Sequence, residues 1–336
     1  MLSLILTTLA SAVLAAPLTR RSANGPVIST NFQDPAILNI GGTYYAYAGP
    51  NGNPPVNVIT AISTDFSTWS VSDSEALPNP GAWAASIPHV WSPDVVQLAN
   101  GRYVLYYAAI AAQDSNKHCV GAATSDTPTG PFAPADTPLY CDLGSGGAID
   151  PDGFRDPVTD NQYVVYKVDG NSVGHGGDCG NNVDPIAPTP LILQQVSADD
   201  GISPIGAGTI ILTNNADDGP NIEAPALVYD GNTLQYMLFF TSGCFTTSAY
   251  NIQYATASSV TGPYTRRGTF LANGDTAADV YVPGGPDVDP VTNRLVFHGD
   301  LNMGWFQNDG SKRVRGMYAS SINWGSDGTV SIGSLA

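Results

Sequence analysis

One unit of two hairpins recurs five times along this sequence, and that repeat constrains the fold more than any other feature. Each copy begins with an acidic residue before a short apolar strand, continues through a turn rich in Gly, Asn and Asp, and reaches an apolar strand that is usually rich in Tyr. The five marking acids are Asp34, Asp94, Asp150, Glu223 and Asp287. Self-similarity of this kind is typical of propellers and other repeat architectures.

A second hairpin follows the first in each copy. Examples are residues 60–65 with Trp69 in the first copy and residues 254–258 with Tyr264 in the fourth. Two hairpins supply four strands, which is one propeller blade. A β-sandwich also needs turn-separated strands, but it needs no repeat of this length. We therefore predict an all-β, five-bladed β-propeller with almost no helix, as a single domain over residues 22–336.

The charge balance limits the partners. The formal net charge is -17, and only 12% of residues are charged. Such a surface repels phosphate backbones and anionic membranes, so we expect neither a nucleic-acid nor a membrane partner. A neutral ligand fits better, and we expect a monomer.

The N-terminus has the features of a secretion signal. Residues 1–16 are apolar, end in small residues and are too short to span a membrane. The pair Arg20 and Arg21 follows, which predicts a short pro-segment over residues 17–21. The mature protein is therefore expected to be secreted and extracellular.

Four cysteines follow the predicted signal: Cys119, Cys141, Cys179 and Cys244. An even number in a secreted chain predicts two disulfides, for which three connectivities are possible. We favour Cys119–Cys141, because that segment reads as one hairpin, with Cys179–Cys244 as the remainder. The spacings do not fit a zinc site.

Three of the marking acids are candidate catalytic groups. The first strand of every propeller blade lines the central axis, so Asp34, Asp150 and Glu223 should meet at one mouth of the channel. Neighbouring carboxylates push their pKa values apart, which allows acid and base roles at one pH. Any single Asp before a Pro can be a turn residue, but three converging acids favour catalysis. We interpret Asp94 and Asp287, at the same repeat position, as channel-lining or structural.

The segments 31–36, 91–95, 148–152 and 222–225 resemble, in order, four motifs of glycoside hydrolase family 43. The resemblance implies that Asp34 is the general base, that Glu223 is the general acid, and that Asp150 orients the acid and modulates its pKa. It also implies release of arabinofuranosyl or xylosyl units from plant polysaccharides with inversion. Our leading hypothesis is an α-L-arabinofuranosidase that acts on plant cell-wall arabinan or arabinoxylan. Inversion requires the two carboxyls to lie roughly 6.5–9.5 Å apart, with room for water.

The resemblance leaves specificity open. Endo-arabinanases of that family usually have His before the first Asp-Pro, where this chain has Gln33, which favours an exo-acting or debranching enzyme. A β-xylosidase of the same fold is the alternative within the class. A non-catalytic carbohydrate-binding propeller, or lectin, is the alternative outside it. A lectin would have more nearly identical blades, so the unequal repeats favour an enzyme.

Other residues are weaker candidates. Aromatic rings stack on sugar faces, so Phe32 and Trp91 are candidate substrate-binding residues, although blade packing would equally explain Phe32. His298 follows the fifth inner hairpin, and in related propellers a His at this point lies in the channel, often near calcium. We therefore regard a structural calcium ion beside His298 as possible. No cofactor is expected to be required.

Overall fold

The computed structural model describes residues 25–49, 56–275, 280–302 and 313–336. The predicted signal, residues 1–16, and the predicted pro-segment, residues 17–21, lie outside these ranges. No helix in the described ranges is long and apolar enough to span a membrane.

Within the described ranges, twenty strands form five four-stranded antiparallel sheets, one per blade. The first blade contains β1 (Ala36–Ile40), β2 (Thr43–Ala48), β3 (Ile59–Ser63) and β4 (Ser70–Val71). The second contains β5 (Trp91–Gln97), β6 (Tyr103–Ala111), β7 (Asp114–Ser125) and β8 (Ala133–Pro134). The third contains β9 (Ala148–Arg155), β10 (Gln162–Val168), β11 (Leu191–Val196) and β12 (Thr209–Leu212).

The fourth blade contains β13 (Ile222–Asp230), β14 (Gln235–Ser242), β15 (Asn251–Ala257) and β16 (Thr265–Leu271). The fifth contains β17 (Gly284–Asp289), β18 (Arg294–Asp300), β19 (Arg315–Trp324) and β20 (Val330–Leu335). Short 3₁₀ turns occur at Leu143–Ser145, Gly170–Val173, Asp178–Gly180 and Ala216–Asp218. The innermost strands β1, β5, β9, β13 and β17 contact one another in a closed ring. The predicted five-bladed propeller is confirmed.

Apolar side chains between neighbouring blades form the core. One cluster joins Tyr47 of the first blade to Leu105 and Tyr107 of the second, all fully buried. Another joins Phe239 of the fourth blade to Phe297 of the fifth. Sheets that are buried on both faces favour long apolar and aromatic strands, which explains why the second strand of each repeat is so rich in these residues.

The N-terminal segment connects the first blade to the last. The backbone N–H of Met317 in β19 donates to the carbonyl of Ile28 at 3.0 Å, and the N–H of Phe32 donates to the carbonyl of Arg315 at 2.7 Å. These bonds hold the start of the chain against the fifth blade, and they place residues 31–34 beside β19.

The five inner strands begin in the same way, with a left-handed residue immediately before a proline. These residues are Asp34, Ser92, Asp150, Ala224 and Gly285, with φ between 41° and 54°. The proline, rather than the acid, therefore marks the common register. An L side chain in this conformation is strained, so its repetition reflects a constraint from the surrounding fold.

This register shows that the five acids do not occupy the same position in their repeats. Asp34 and Asp150 precede the proline directly, whereas Asp94 and Asp287 follow it, and Glu223 lies two residues before it. Two residues correspond to roughly 6.6 Å along a strand. The prediction that all five acids are equivalent is therefore wrong, because the spacing between acid and proline differs among the repeats.

Asp94, Asp152 and Asp287, the acids that follow the prolines, form a second, deeper set that links the blades. Asp94 accepts from the N–H of Gly153 at 2.7 Å, and Asp152 accepts from the N–H of Leu227 at 2.9 Å. Each bond crosses to the next blade. Asp287 connects the fifth blade to the first by accepting from the N–H of Ile37 at 2.6 Å. These contacts support a structural role for Asp94 and Asp287.

Both predicted disulfides are present, Cys119–Cys141 and Cys179–Cys244. The first joins β7 to the loop after β8. The second joins the loop after β10, in the third blade, to the loop after β14, in the fourth.

Candidate active site

A cavity of about 290 Å³ lies where the inner strands begin, and the three predicted acids line it. The residues that complete its wall include Gln33, Trp91, Lys167, Asn171, Tyr250 and Arg315. The convergence follows from the repeat, because the residue before each proline faces the axis at the same end of its blade. Asp34 and Asp150 occupy that position, and Glu223 immediately precedes it in the fourth blade.

Asp34 lies among positive and hydrogen-bonding groups. Its Oδ1 lies 3.1 Å from Nδ1 of His298, and its Oδ2 lies 3.6 Å from Nη1 of Arg315. Burial favours the neutral form of Asp34, but the positive charge of Arg315 and the contact with His298 outweigh it and hold the pKa of Asp34 well below its usual range. This carboxylate therefore stays ionised.

The close approach of Asp34 to the fifth blade requires a glycine. Gly285 has φ +54°, and a Cβ atom at this position would lie 2.9 Å from Oδ1 of Asp34. A side chain there would displace the carboxylate from His298. Gly285 occupies in the fifth blade the position that Asp34 and Asp150 hold in their own blades. In the fifth blade there is no room at this position for a side chain larger than hydrogen.

Asp150 lies between the second and fourth blades. Its Oδ1 accepts from the hydroxyl of Ser92 at 2.7 Å, and its Oδ2 accepts from the N–H of Ala224 at 2.9 Å. Burial first, and the neighbouring charge of Glu223 second, raise the pKa of Asp150 to about 7. Asp150 thus fixes the backbone beside Glu223 and responds to the charge of Glu223.

Glu223 has a different polar group at each carboxyl oxygen. Oε2 accepts from Nζ of Lys167 at 2.9 Å and from Nδ2 of Asn221 at 2.8 Å. Oε1 is bonded to the hydroxyl of Tyr250 at 2.8 Å. Lysine ammonium and asparagine amide nitrogens only donate. A proton on Glu223 must therefore be on Oε1.

The hydroxyl groups next to Oε1 can accommodate that proton. The hydroxyl of Tyr250 also lies 3.0 Å from Oγ1 of Thr241, and either oxygen can be the donor. Thr241 in turn donates to the backbone carbonyl of Glu223 at 3.1 Å. If Oε1 carries a proton, it donates a hydrogen bond to the hydroxyl of Tyr250, and that hydroxyl donates a hydrogen bond to Thr241. If Oε1 is ionised, Tyr250 donates to Oε1 instead, and every hydroxyl hydrogen is still used.

Sequence reasoning missed Lys167. Its side chain is 1% exposed, and its ammonium lies 2.9 Å from Glu223 and 3.2 Å from Oδ1 of Asp169. It is the penultimate residue of β10, inside an otherwise apolar run from Tyr163 to Val168. An isolated Lys in a strand that is buried on both faces was the available signal, because a buried charge needs a partner.

The structure separates the two predicted aromatic contacts. Trp91 is 37% exposed, lines the cavity, and stacks on the ring of His118 at 3.7 Å. Phe32 is fully buried in a cluster with Ile37 and Met317 and does not line the cavity. The prediction that Phe32 contacts substrate is wrong, because the N-terminal segment turns its ring into the core.

His298 is fully buried and faces Asp34 through Nδ1, while its Nε2 has no hydrogen-bond partner among the described residues. Burial lowers the pKa of His298, which favours the neutral ring. Within the described ranges, no group of three or more His, Cys, Asp or Glu side chains is placed to hold a metal ion. Calcium beside His298 stays a prediction.

Known proteins resemble this chain in sequence and in fold. The model of the family "Glycosyl hydrolases family 43" matches residues 23–330. The chain is 27% identical over 279 residues to the extracellular endo-α-(1→5)-L-arabinanase 2 of Bacillus subtilis, with 76% of this chain and 53% of that protein covered. An extracellular endo-α-(1→5)-L-arabinanase of Thermotoga petrophila is 27% identical over 263 residues, with 69% and 50% covered. The chain thus spans about half the length of these two relatives.

The crystal structure of a thermostable family-43 glycoside hydrolase superposes with a TM-score of 0.71. The two chains are 19% identical, and the superposition covers 90% of this chain and 93% of the other. At this identity the likeness concerns the fold, which is the same five-bladed arrangement.

Proposed function

The chain belongs to glycoside hydrolase family 43, and on that premise we propose that it cleaves α-L-arabinofuranosyl linkages of plant arabinan or arabinoxylan with inversion at the anomeric carbon. One observation carries the proposal. Two carboxyl groups in the same cavity have opposite environments. Cationic Arg315 holds Asp34 ionised, whereas Oε1 of Glu223 contacts the hydroxyl of Tyr250, which can accept as well as donate a hydrogen bond. Inverting hydrolysis needs such a pair.

Asp34 is the proposed general base. Its low pKa keeps it ionised across the acidic and neutral range, and its contact with His298 fixes the carboxylate plane. A water molecule between Asp34 and the sugar would lose its proton to the carboxylate as it attacks the anomeric carbon. Positioned proton transfer of this kind contributes roughly 10²–10⁴-fold to rate.

Glu223 is the proposed general acid, and the contacts of Glu223 assign the transferable proton to Oε1. Lys167 and Asn221 hold Oε2, so Oε1 must deliver the proton to the departing glycosidic oxygen. When the proton leaves, the hydroxyl of Tyr250 can turn its hydrogen toward Oε1 and stabilise the new carboxylate. The acid then recovers its proton from solvent after product release.

Asp150 is the proposed orienting residue and pKa modulator of the acid. It contacts the backbone of Ala224 rather than the reacting atoms, so it fixes the position of the acid. Because its own pKa lies near 7, its charge is sensitive to whether Glu223 is ionised.

Two observations bear on substrate and mode of action. The curated relatives are named as enzymes that act on arabinan, which supports arabinofuranosyl linkages over xylosyl linkages. The cavity of about 290 Å³ is at the small end of ligand sites, which span about 300–1,000 Å³. A small cavity, with Gln33 in its wall, supports attack near a chain end. Endo-cleavage is the second candidate, because both curated relatives are named endo-arabinanases.

Secretion supports a polymeric substrate outside the cell. The relatives are named extracellular, and the disulfides Cys119–Cys141 and Cys179–Cys244 suit an oxidising compartment. We propose that the mature protein is extracellular and acts on plant cell-wall polysaccharide.

A panel of substrates tests the proposal. We expect hydrolysis of 4-nitrophenyl α-L-arabinofuranoside and slower or no hydrolysis of the β-D-xyloside. Debranched linear arabinan should release mainly arabinose, whereas endo-cleavage would release mixed oligosaccharides first. Activity on the xyloside alone would favour β-xylosidase, and binding without hydrolysis of any pentoside would favour a lectin.

A further inference from the structure

A chain of side-chain amides extends from Glu223 into the third blade. Asn221 donates to Oε2 of Glu223 at 2.8 Å, and its own carbonyl oxygen accepts from Nδ2 of Asn171 at 3.1 Å. Nδ2 of Asn171 also lies 3.3 Å from the backbone carbonyl of Cys179. The direction of donation is fixed, because Oε2 must accept and each amide then presents its oxygen to the next donor.

The far end of this chain is firmly anchored. Cys179 is disulfide-bonded to Cys244 in the fourth blade. Asn181 in the same loop is fully buried and donates to the carbonyl of Pro220 at 2.7 Å, while accepting from the N–H of Ala187 at 2.8 Å. Two asparagines therefore attach the loop after β10 to the segment just before Glu223, and the disulfide attaches the same loop to the loop after β14.

Asn171 itself is held only at this junction. Its Oδ1 is buried and has no hydrogen-bond partner among the described residues, so its two Nδ2 contacts determine its orientation. Removing the carbonyl of Cys179 from reach would leave Asn171 with the single contact to Asn221. The rotamer of Asn221, and with it the position of Oε2 of Glu223, would then be less restricted.

We propose that Asn171 is a positioning residue for the proton donor, which transmits the position of the Cys179–Cys244 loop through Asn221 to Glu223. The inference rests on the proposed role of Glu223 as general acid. Proton transfer to a leaving group requires Oε1 to stay within hydrogen-bond reach of the glycosidic oxygen, and small displacements of a catalytic group lower the rate strongly. The Cys179–Cys244 loop of the third blade thus restricts the position of the proton donor Glu223 in the fourth blade.

The experiment compares two substrates that differ in their need for an acid. Arabinobiose has a poor leaving group and needs protonation, whereas 4-nitrophenyl α-L-arabinofuranoside needs it less. The ratio of kcat/KM for arabinobiose to kcat/KM for the aryl glycoside does not depend on the fraction of enzyme that is folded. We expect Asn171→Ala to lower this ratio by about 5–10-fold, within the range of general acid catalysis, and the pair Cys179→Ala/Cys244→Ala to lower it similarly.

A triple variant that combines Asn171→Ala with Cys179→Ala/Cys244→Ala tests whether the loop acts through Asn171. If the loop acts through Asn171, the triple variant should have no lower ratio than the more impaired of the two parents. Matched controls are Asn182→Ala, whose side-chain amide in the same loop donates to Asp178, and the pair Cys119→Ala/Cys141→Ala. Both controls should keep the wild-type ratio.

Three results would overturn the inference: an unchanged ratio in Asn171→Ala, multiplicative losses in the triple variant, or equal losses in the controls. Glu223→Gln, measured on the same two substrates, separates this inference from the proposed function. If Glu223→Gln lowers the ratio strongly and Asn171→Ala does not, only the role of Asn171 fails. If Glu223→Gln leaves the ratio unchanged, or if the wild-type enzyme hydrolyses neither substrate, the proposed function fails.

Discussion

The ammonium group of Lys167 lies 2.9 Å from Oε2 of Glu223, and Lys167 belongs to an otherwise apolar run of β10, Tyr163 to Val168. Burial alone would lower the pKa of Lys167, but the charges of Glu223 and Asp169 outweigh it and raise that pKa. The ammonium therefore stays protonated and continues to hold one oxygen of the acid. A fixed cation at Oε2 leaves Oε1 as the oxygen that gives and regains the proton.

Replacing Lys167 with Met tests how much the ion pair between Lys167 and Glu223 contributes to stability and to catalysis. The variant leaves two buried carboxylates without their shared cation, which should lower the free energy of unfolding by about 3–5 kcal/mol. The basic limb of the pH-rate profile should also move to higher pH, because the ionised acid loses a stabilising charge. Calorimetry and a pH series of kcat/KM provide the two measurements.

Lys117→Met is the matched control for this change. Lys117 pairs with Asp114 at 3.1 Å on the surface of β7, where both side chains remain partly exposed. Surface pairs contribute less than about 1 kcal/mol, so stability and pH profile should stay close to wild type. Equal losses in the two variants would contradict a specific role for the buried pair.

The architecture can be predicted from the sequence because each copy of the repeat contains the same alternation of apolar strand and turn. The register cannot be predicted so well, since the acids are conspicuous in sequence while the shared feature is the left-handed residue before each proline. Ser92, Ala224 and Gly285 occupy that position without an acidic side chain. Backbone conformation therefore defines equivalence here more reliably than residue type.

The acids of the deeper set, Asp94, Asp152 and Asp287, make stability depend on pH. Burial, and then the charge of Asp287, raise the pKa of Asp94 to about 8, and burial raises the pKa of Asp287 to about 6. In the unfolded chain both titrate near their ordinary value of about 4. The folded state thus binds protons more tightly, so this contribution is complete below about pH 4 and is lost as pH rises through about 8. We expect the melting temperature to fall between pH 5 and pH 8.

Asp94→Asn should weaken this dependence. The amide oxygen can still accept from the N–H of Gly153, but the buried charge is gone. The melting temperature at pH 8 should rise by at least about 2 °C, with little change at pH 5. The exposed residue Asp73, changed to Asn, is the control and should preserve the wild-type slope. A parallel slope in Asp94→Asn would contradict the assignment.

Substitutions of Trp91 and Phe32 should have opposite effects on KM and on stability. Trp91→Ala removes an exposed ring from the cavity wall and should raise KM by about 10-fold, with little effect on the melting temperature. Phe32→Ala leaves a hole in the core and should cost about 3–5 kcal/mol of stability, with KM nearly unchanged in the folded fraction. Thermal melts and substrate saturation curves on the same preparations compare them. A raised KM in Phe32→Ala alone would reverse the assignment.

The three acids can be predicted from sequence because propeller geometry brings equivalent strand ends together. The groups that tune them cannot. Lys167 comes from a second strand, Arg315 from a third strand, and Tyr250 from the turn before β15, and none lies near a sequence motif. Their side chains reach the acids only through the packing of adjacent blades, which a single sequence does not specify.

The two catalytic carboxyls should differ in their response to removal. Glu223→Gln should lower kcat strongly on arabinobiose, by about 10²–10⁴-fold, and much less on an aryl glycoside whose leaving group needs little protonation. Asp34→Asn should lower kcat on both substrates alike, because both need the attacking water to be activated. Equal leaving-group dependence in the two variants would contradict the assignment of separate acid and base roles.

The configuration of the first-formed product tests the central claim most directly. If ionised Asp34 activates water while Glu223 protonates the leaving oxygen on the opposite face, the anomeric carbon must invert. Proton NMR, recorded in the first minutes of hydrolysis of an α-L-arabinofuranoside before mutarotation, should therefore show the β-anomer of arabinose. Initial appearance of the α-anomer would mean a covalent glycosyl-enzyme intermediate, and Asp34 would then not be a general base.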